Sequence, residues 1–257
     1  MSLSEEITLL LKDYRNVSVI IPTLNEEESI GNVIRGVKKN LPGAEIIVVD
    51  SGTDRTAEIA SSLEATVVKQ IRKGYGAAVR TGLNMARGSI LAFMDGDGTY
   101  DPSDLKRLVD LVESGRADVA TGLRFSSKPA GMSVTRYLGN LLINLLFSLL
   151  FLKRIRDTQT GMKVFSREAY LKMRLKEDGM PFSTEVLTEA CRNCLRIVET
   201  NIKYYTRVGV SKLNPFKDGV RIFLFMIRNR FYSNLRFLRT RGQPYWKQYS
   251  VENFSIN

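Results

Sequence analysis

The stretch SILAFMDGDGTYDP, residues 89–102 of this 257-residue chain, combines a strand-like apolar run with a cluster of carboxylates. Its first half is an apolar run with the length of a buried strand, and its second half contains Asp95, Asp97 and Asp101. A strand that ends in carboxylates and glycines gives up packing there, which indicates a binding site at the edge of a sheet. Two carboxylates separated by one small residue suit a hard divalent cation such as Mg²⁺ or Mn²⁺.

Strands and helices alternate on both sides of this stretch. Apolar, β-branched runs predict further strands at residues 17–21, 45–50, 65–70 and 118–122, and helical spacing predicts helices from about residue 27, over 74–86 and over 102–113. This alternation predicts an α/β fold with a mostly parallel, Rossmann-like sheet flanked by helices. Ligands bind beyond the carboxyl ends of such strands, so the polar loops are expected to meet at one edge.

The chain contains no histidine, which excludes a Ser-His-Asp triad, a histidine general base and histidine-ligated metal sites. Its formal net charge of +11 favours an anionic partner: nucleic acid, a phosphorylated metabolite or a membrane surface. Cys191 and Cys194 form a single CxxC, which provides too few ligands for a structural zinc site. Two ordinary thiols in a reducing compartment are therefore favoured over redox or metal chemistry.

The most apolar segment is LGNLLINLLFSLLFL, residues 138–152. As a helix of about 22 Å it is shorter than the roughly 30 Å hydrocarbon core of a bilayer, so an ordinary transmembrane helix is not expected. Polar side chains recur every fourth position, at Arg136, Asn140, Asn144 and Ser148. This stripe indicates an amphipathic helix over about residues 136–153, lying in the membrane interface with the stripe toward the protein. A helix buried in the core is the alternative.

The two ends of the chain differ in charge. Residues 1–16 are predicted to form a leading helix, because they are acidic where a secretory signal is basic. Residues 213–257 form a basic, amphipathic tail whose apolar run at 222–227 is expected to insert Ile222, Phe223, Phe225 and Ile227 into a membrane. The tail favours an anionic membrane over single-stranded nucleic acid. Peripheral attachment to the cytoplasmic face of a membrane is therefore expected, and a nucleic-acid partner is not.

Six blocks of the sequence, in order, resemble inverting glycosyltransferases of family 2 with the GT-A fold, most closely the polyprenyl-phosphate hexose synthases typified by dolichol-phosphate mannose synthase. The blocks are VSVIIPTLNEEESI (17–30), VVDSGTDRT (48–56), RKGYGAAVRTGLNMARGSILAFMDGDGTYDP (72–102), TGLR (121–124), RDTQTGMKVFSREA (156–169) and YYTRVGVSK (204–212). The resemblance implies one GT-A domain over residues 17–212. It also implies transfer of a hexose, with inversion, from a nucleotide-diphosphate sugar to a dolichyl-type polyprenyl phosphate.

The resemblance assigns roles residue by residue. Beside the nucleotide it puts Pro22, Asn25, Glu27, Asp50, Lys73 and Gly74, and over the donor phosphates Arg207 and Lys212. Asp95 and Asp97, on either side of Gly96, would hold Mg²⁺ or Mn²⁺ on the donor diphosphate. Arg124 and Arg136, with Asn140, would hold the acceptor phosphate, and Asp157 would face the sugar. The predicted catalytic residues are Asp95, Asp97, Arg124, Arg136 and Asp157.

A phosphate acceptor is already anionic near neutral pH and needs no general base, which agrees with the absence of histidine. Three departures from the family pattern leave the donor open: the turn at 50–56 is one residue short, Thr99 stands where Gln is frequent, and Asn140 where Ser is frequent. GDP-mannose is narrowly favoured over UDP-glucose and UDP-N-acetylglucosamine.

Other functions remain as alternatives. A family 2 enzyme could use a saccharide acceptor, and a basic peripheral membrane adaptor would need no acidic pair. Recruitment by a separate membrane protein is left open. An NAD-dependent oxidoreductase is disfavoured, because GYGAAVR (74–80) lacks the third glycine of a GxGxxG motif and follows the third strand rather than the first.

Overall fold

A computed structural model describes residues 13–70, 74–125, 132–209 and 215–239, without the side chains of residues 215 and 231–239. The leading helix expected over residues 1–16 therefore falls mostly outside the described residues. Residues 13–16 enter the first strand through a turn.

The described residues form one seven-stranded sheet with helices on both faces. The strands are β1 (Val17–Thr23), β2 (Glu45–Asp50), β3 (Thr66–Lys69), β4 (Ile90–Phe93), β5 (Val119–Leu123), β6 (Lys163–Ser166) and β7 (Ile197–Asn201). The helices are α1 (Ile30–Asn40), α2 (Thr56–Ser62), α3 (Tyr75–Met85), α4 (Pro102–Glu113), α5 (Val134–Phe151), α6 (Arg167–Lys172), α7 (Phe182–Arg192) and α8 (Pro215–Arg239).

The strand order is β3-β2-β1-β4-β6-β5-β7, and all neighbours are parallel except that β6 runs antiparallel to both β4 and β5. The predicted mostly parallel α/β sheet is confirmed. Because β6 is antiparallel, its first residues lie at the edge of the sheet where β4 ends. The pairing of Phe93 with Lys163 thus brings the loop before β6 next to Asp95.

The central strands are buried on both faces, which is why β1 and β4 read as continuous apolar runs. One core lies between the sheet and helices α1 and α4, and a second lies between the sheet and helices α3 and α7. Gly82 of α3 illustrates how close this packing is, since a Cβ built there would lie 2.5 Å from the Ile20 side chain. Only glycine lets α3 approach β1 to this distance.

Helix α5 lies on the surface, so the alternative of a buried core helix is wrong. Its polar stripe faces the protein: Asn144 Nδ2 donates to the Arg156 carbonyl at 2.6 Å, and Ser148 Oγ lies 3.4 Å from the Ile155 carbonyl. The opposite face exposes the leucines Leu138, Leu141, Leu142, Leu145 and Leu149. By length and composition α5 could cross a membrane, with 11% of its 18 residues buried. The helix has the length expected from residues 136–153, and it is longer than the apolar run 138–152 on which the exclusion of a transmembrane helix was based.

The expected membrane insertion of the tail is wrong for two residues of helix α8. Ile222 and Phe225, expected to insert into lipid, are buried with Met226 against Phe147 of α5 and Leu187 of α7. Their helical spacing turns them toward the protein, while Phe223 on the same helix stays half exposed. The first half of α8 therefore packs on the body of the protein.

Candidate active site

The carboxyl ends of β1 and β2 are joined by the side chain of Asp50. This carboxylate is fully buried, and its Oδ1 accepts hydrogen bonds from the Thr23 hydroxyl at 2.9 Å and the Gly52 N–H at 3.1 Å. Lys69 Nζ lies 3.3 Å from Oδ2. Asp50 thus fixes the start of the loop after β2. Pro22, half-buried on β1, lies beside Val49, the residue before Asp50.

Two other residues assigned to the nucleotide, Asn25 and Glu27, also bind the segment that follows β2. Asn25, with a left-handed φ of 53°, accepts the Thr53 N–H on its Oδ1 at 2.8 Å. Glu27 Oε2 accepts the Arg55 N–H at 3.1 Å. Both side chains are exposed, so they form the rim of the strand-end cleft. Their contact with a nucleotide stays a prediction.

Asp95 lies directly beyond β4, and its Oδ1 accepts the Tyr75 hydroxyl at 2.9 Å. Gly161 packs against the carboxylate so closely that a Cβ at that position would lie 2.2 Å from Oδ2. Burial, followed by the charge of the neighbouring Asp97, raises the pKa of Asp95 to about 7. Burial and the neighbouring carboxylate thus both disfavour the charged form of Asp95, and a cation bound there would favour it.

Asp97 is fully engaged with protein groups. Its Oδ1 accepts from the Thr99 N–H at 3.1 Å and the Thr99 hydroxyl at 2.6 Å, and its Oδ2 accepts from Nη1 of Arg207 at 2.6 Å. The other guanidinium nitrogen of Arg207, Nη2, donates to Glu26. Arg207, assigned to the donor phosphates, thus lies at the acidic pair.

Arg124 and Asp157 form a buried, two-pronged ion pair. Nε and Nη2 of Arg124 each lie 2.8 Å from one carboxylate oxygen of Asp157. The guanidinium also lies 5.0 Å from the Phe125 ring centre and 5.3 Å from that of Tyr204. Because Asp157 has no exposed surface, the structure places it behind Arg124. Both carboxylate oxygens of Asp157 are buried and bonded to Arg124, so neither is exposed to a ligand. The predicted contact of Asp157 with the sugar stays a prediction.

A cavity of about 370 Å³ extends from Asp95 to the apolar helices. Its polar wall includes Tyr75, Asp95, Arg124, Thr135, Arg136, Asn140, Gln159, Ser183 and a second carboxylate, Asp218, and its apolar wall includes Leu142, Ile143, Leu146, Met180, Phe216, Val220, Ile222 and Phe223. The structure thus brings Asp95 together with all three residues assigned to the acceptor phosphate. The residues assigned to the nucleotide lie in the neighbouring strand-end loops.

Gly74 is the N-cap of α3 and has a φ of 129°. A Cβ there would lie 2.3 Å from the Asp178 carbonyl oxygen, so the residue is fixed by a close backbone approach. Lys73 and Lys212, the other two basic residues assigned to the donor, lie outside the described residues.

The side chains of the site that were not predicted from the sequence include Glu26, Tyr75 and Gln159. Each lies inside a block that carries the family resemblance, which was the available signal. Glu26 stands in a run of three glutamates, and only its burial against Arg207 distinguishes it from its neighbours.

A mostly parallel sheet with a carboxylate pair beyond its central strand, close to the buried Arg124 and the half-buried Arg207, is the arrangement of a GT-A glycosyltransferase. The chain belongs to glycosyl transferase family 2, whose model matches residues 18–174. The protein is therefore a glycosyltransferase.

Two relatives come from Haloferax volcanii. The low-salt glycan biosynthesis hexosyltransferase Agl6 is 38% identical over 220 residues, which are 83% of this chain and 53% of that protein. The dolichyl-phosphate hexose transferase is 32% identical over 210 residues, which are 81% of this chain and 91% of that protein. The chain thus spans about half the length of the first relative and nine-tenths of the second.

The fold also matches a solved structure. Glucosyl-3-phosphoglycerate synthase from Mycobacterium tuberculosis, in complex with Mn²⁺, UDP-glucose and phosphoglyceric acid, superposes with a TM-score of 0.69 and 21% identity. The match covers 90% of this chain and 84% of that one. At this identity the likeness shows a shared fold.

Proposed function

We propose that the protein transfers a hexose, with inversion, from a nucleotide-diphosphate sugar to a polyprenyl phosphate of the dolichyl type. The cavity carries this proposal, because it runs from Asp95 past Arg124 and Arg136 to an apolar wall built by α5 and α8. A soluble saccharide acceptor would gain nothing from that wall, whereas an isoprenoid chain buries its surface there. Similarity to a dolichyl-phosphate hexose transferase over most of its length supports the same acceptor.

The acidic pair fits a divalent cation. Mg²⁺ is usually held by one or two carboxylates together with substrate phosphates. Asp95, which lines the cavity, and Asp97, two residues further on, supply such carboxylates. Among the described residues no cluster of three or more acidic or cysteine side chains offers a complete protein cage, which agrees with a site completed by the donor. When bound, Mg²⁺ or Mn²⁺ would stabilise the charge that develops on the leaving nucleoside diphosphate.

The side chains present support a single displacement. Arg124 and Arg136 hold the acceptor phosphate, one of whose oxygens attacks the anomeric carbon while the bond from that carbon to the donor phosphate oxygen breaks. The phosphate needs no base, since its second pKa lies near 6. Asp157 and the rings of Phe125 and Tyr204 keep the Arg124 guanidinium oriented. Attack opposite the leaving group inverts the anomeric centre.

For the donor we propose the class, a nucleotide-diphosphate hexose, without choosing one nucleotide or sugar. GDP-mannose and UDP-glucose both present a diphosphate to the acidic pair, and the fold neighbour was crystallised with Mn²⁺ and UDP-glucose. The sequence resemblance narrowly favours GDP-mannose, and the nucleotide bound to the fold neighbour keeps UDP-glucose as the alternative. Both donors, and UDP-N-acetylglucosamine, belong in the first assay.

The protein is also proposed to bind the cytoplasmic face of a membrane peripherally. One of the exposed leucines of α5, Leu142, lines the apolar end of the cavity together with Phe216 and Phe223 of α8, where a lipid acceptor would enter. Basic residues of the tail favour the anionic cytoplasmic leaflet. Because the polar stripe of α5 is hydrogen-bonded to the protein, this helix is proposed to lie in the plane of the interface.

The test is a transfer assay with the purified chain, each of the three nucleotide sugars, a polyprenyl phosphate and Mn²⁺. A hexosyl-phosphate lipid detected by mass spectrometry is expected, and Asp95→Asn or removal of metal by EDTA should abolish it. Asp110→Asn, on the surface of α4, is the matched control. Transfer to a free saccharide but to no lipid phosphate would overturn the acceptor assignment, and full activity in EDTA would overturn the metal.

A further inference from the structure

Gln159 lines the polar wall of the cavity together with Asp95 and Arg124. Its Nε2 donates two hydrogen bonds, to the Thr158 hydroxyl oxygen at 2.9 Å and to the Thr184 hydroxyl oxygen at 2.7 Å. With both amide hydrogens committed, the carbonyl Oε1 is the part of this side chain that remains for a ligand. The orientation of the amide therefore decides whether Gln159 offers the cavity an acceptor or a donor.

The hydrogen-bond network determines that orientation. Asn144 Nδ2 donates to the Arg156 carbonyl at 2.6 Å, and its Oδ1 accepts the Thr158 N–H at 2.9 Å, so two backbone groups of fixed polarity orient the Asn144 amide. Oδ1 of Asn144 also accepts the Thr158 hydroxyl hydrogen at 2.8 Å. The Thr158 oxygen then has only lone pairs left, so it must receive Nε2 of Gln159. The relay leaves Oε1 of Gln159 as an acceptor.

Because Oε1 of Gln159 can only accept hydrogen bonds, it discriminates among the groups that the nucleotide sugar and the lipid phosphate would bring into the cavity. Phosphate oxygens repel a carbonyl oxygen, and in the proposed reaction they lie at the acidic pair and at Arg124 and Arg136. The hexose lies between these two phosphate sites and carries hydroxyl hydrogens. We propose that Gln159 is a specificity-determining residue that accepts a hydrogen bond from a hydroxyl of the transferred sugar, and that Asn144 and Thr158 set its polarity. This inference rests on the proposed hexose transfer.

The test compares, by calorimetry with Mn²⁺, the binding of a nucleotide diphosphate and of the corresponding nucleotide sugar, for UDP with UDP-glucose and GDP with GDP-mannose. In the wild type we expect the sugar to tighten binding for at least one pair. Gln159→Met should remove about fivefold of that gain, the size of one hydrogen bond, without changing binding of the nucleotide alone. Thr158→Val should lose part of the gain, whereas Thr158→Ser, which keeps the hydroxyl, should retain it.

Each other result overturns the inference. An equal loss of affinity for nucleotide and nucleotide sugar in Gln159→Met would place this side chain at the phosphates or at a metal-bound water. Unchanged binding in that variant, or no sugar contribution in the wild type, would remove it from the sugar site. A folded Thr158→Val protein with the full gain would show that the relay does not set the polarity. No lipid is present in this assay, so failure of the proposed acceptor would not affect it.

Discussion

Nη1 of Arg207 lies 2.6 Å from Oδ2 of Asp97, so a residue assigned to the donor phosphates neutralises a residue assigned to the metal. Glu26 holds the other nitrogen of the same guanidinium. A cation that binds Asp97 through Oδ2 must first displace Arg207, and a donor diphosphate would give the displaced guanidinium a new anionic partner. Metal and donor are therefore expected to bind more tightly together than separately.

The first prediction concerns this coupling. Arg207→Ala should strengthen binding of Mn²⁺ alone by about tenfold, because a charge-assisted hydrogen bond no longer competes for Asp97. The same variant should weaken binding of UDP or GDP in the presence of Mn²⁺. Electron paramagnetic resonance titration of free Mn²⁺ measures the first effect and calorimetry the second. Arg196→Ala, which breaks an ion pair with Asp118, the residue before β5, is the control and should change neither.

The second prediction separates two roles for Asp157. Asp157→Ala should lower the free energy of unfolding by about 3–5 kcal/mol, because it leaves the Arg124 charge buried without a partner. The double variant Arg124→Met, Asp157→Leu should regain most of that stability. Urea unfolding followed by circular dichroism gives both values. A stable Asp157→Ala protein with selectively weakened sugar binding would instead support the predicted contact with the sugar.

The third prediction concerns the pH dependence of stability. Lys163 is fully buried, its Nζ donates to the Thr160 carbonyl at 2.6 Å, and burial lowers the pKa of Lys163 to about 7. The unfolded lysine has a pKa near 10.4, so between about pH 7 and pH 10 the unfolded chain binds more protons than the native one. The contribution of this group to native stability therefore rises with pH over that window.

Lys163→Met, which keeps a flexible apolar side chain but cannot be charged, should lack this rise. Its stability advantage over the wild type should be largest at about pH 7 or below and should shrink by about pH 9. Urea unfolding across this range is the measurement, with the exposed Lys39→Met as control. Parallel pH dependences for wild type and Lys163→Met would contradict the lowered pKa.

The fourth prediction concerns the membrane. Leu142, Leu145 and Leu149 are each more than half exposed on the outer face of α5. Replacing all three by Gln should reduce flotation with liposomes by at least about tenfold at low and at high salt, since the lost burial of apolar surface does not depend on charge. Lys217→Ala with Arg221→Ala should lower flotation mainly at low salt. Leu171→Gln, an equally exposed leucine on α6, is the control; unchanged flotation of the triple variant would argue against an interfacial α5.

Local patterns predicted the elements that surround the site. The bounds of β2 and α4 agree with the runs at 45–50 and 102–113, since continuous burial and an Asp-Pro cap leave clear signals in a sequence. Strand β6 was missed because KVFS is only four residues long and lies within a polar block. Its antiparallel direction has no local signal, yet it brings Gly161 against Asp95.

By itself the sequence determined the α/β class, the acidic pair beyond β4 and the exclusion of histidine chemistry, because each depends on residue type and short-range spacing. Only the tertiary structure decided which polar groups meet. Arg207 and Asp97 are 110 positions apart, and no periodicity links them. The apolar run at 222–227 has enough hydrophobicity for lipid, but the direction of α8 buries Ile222 and Phe225 against α5 and leaves Phe223 outside. Which partner a charged or apolar side chain contacts depends on how distant segments pack together, and the fold as a whole sets that packing.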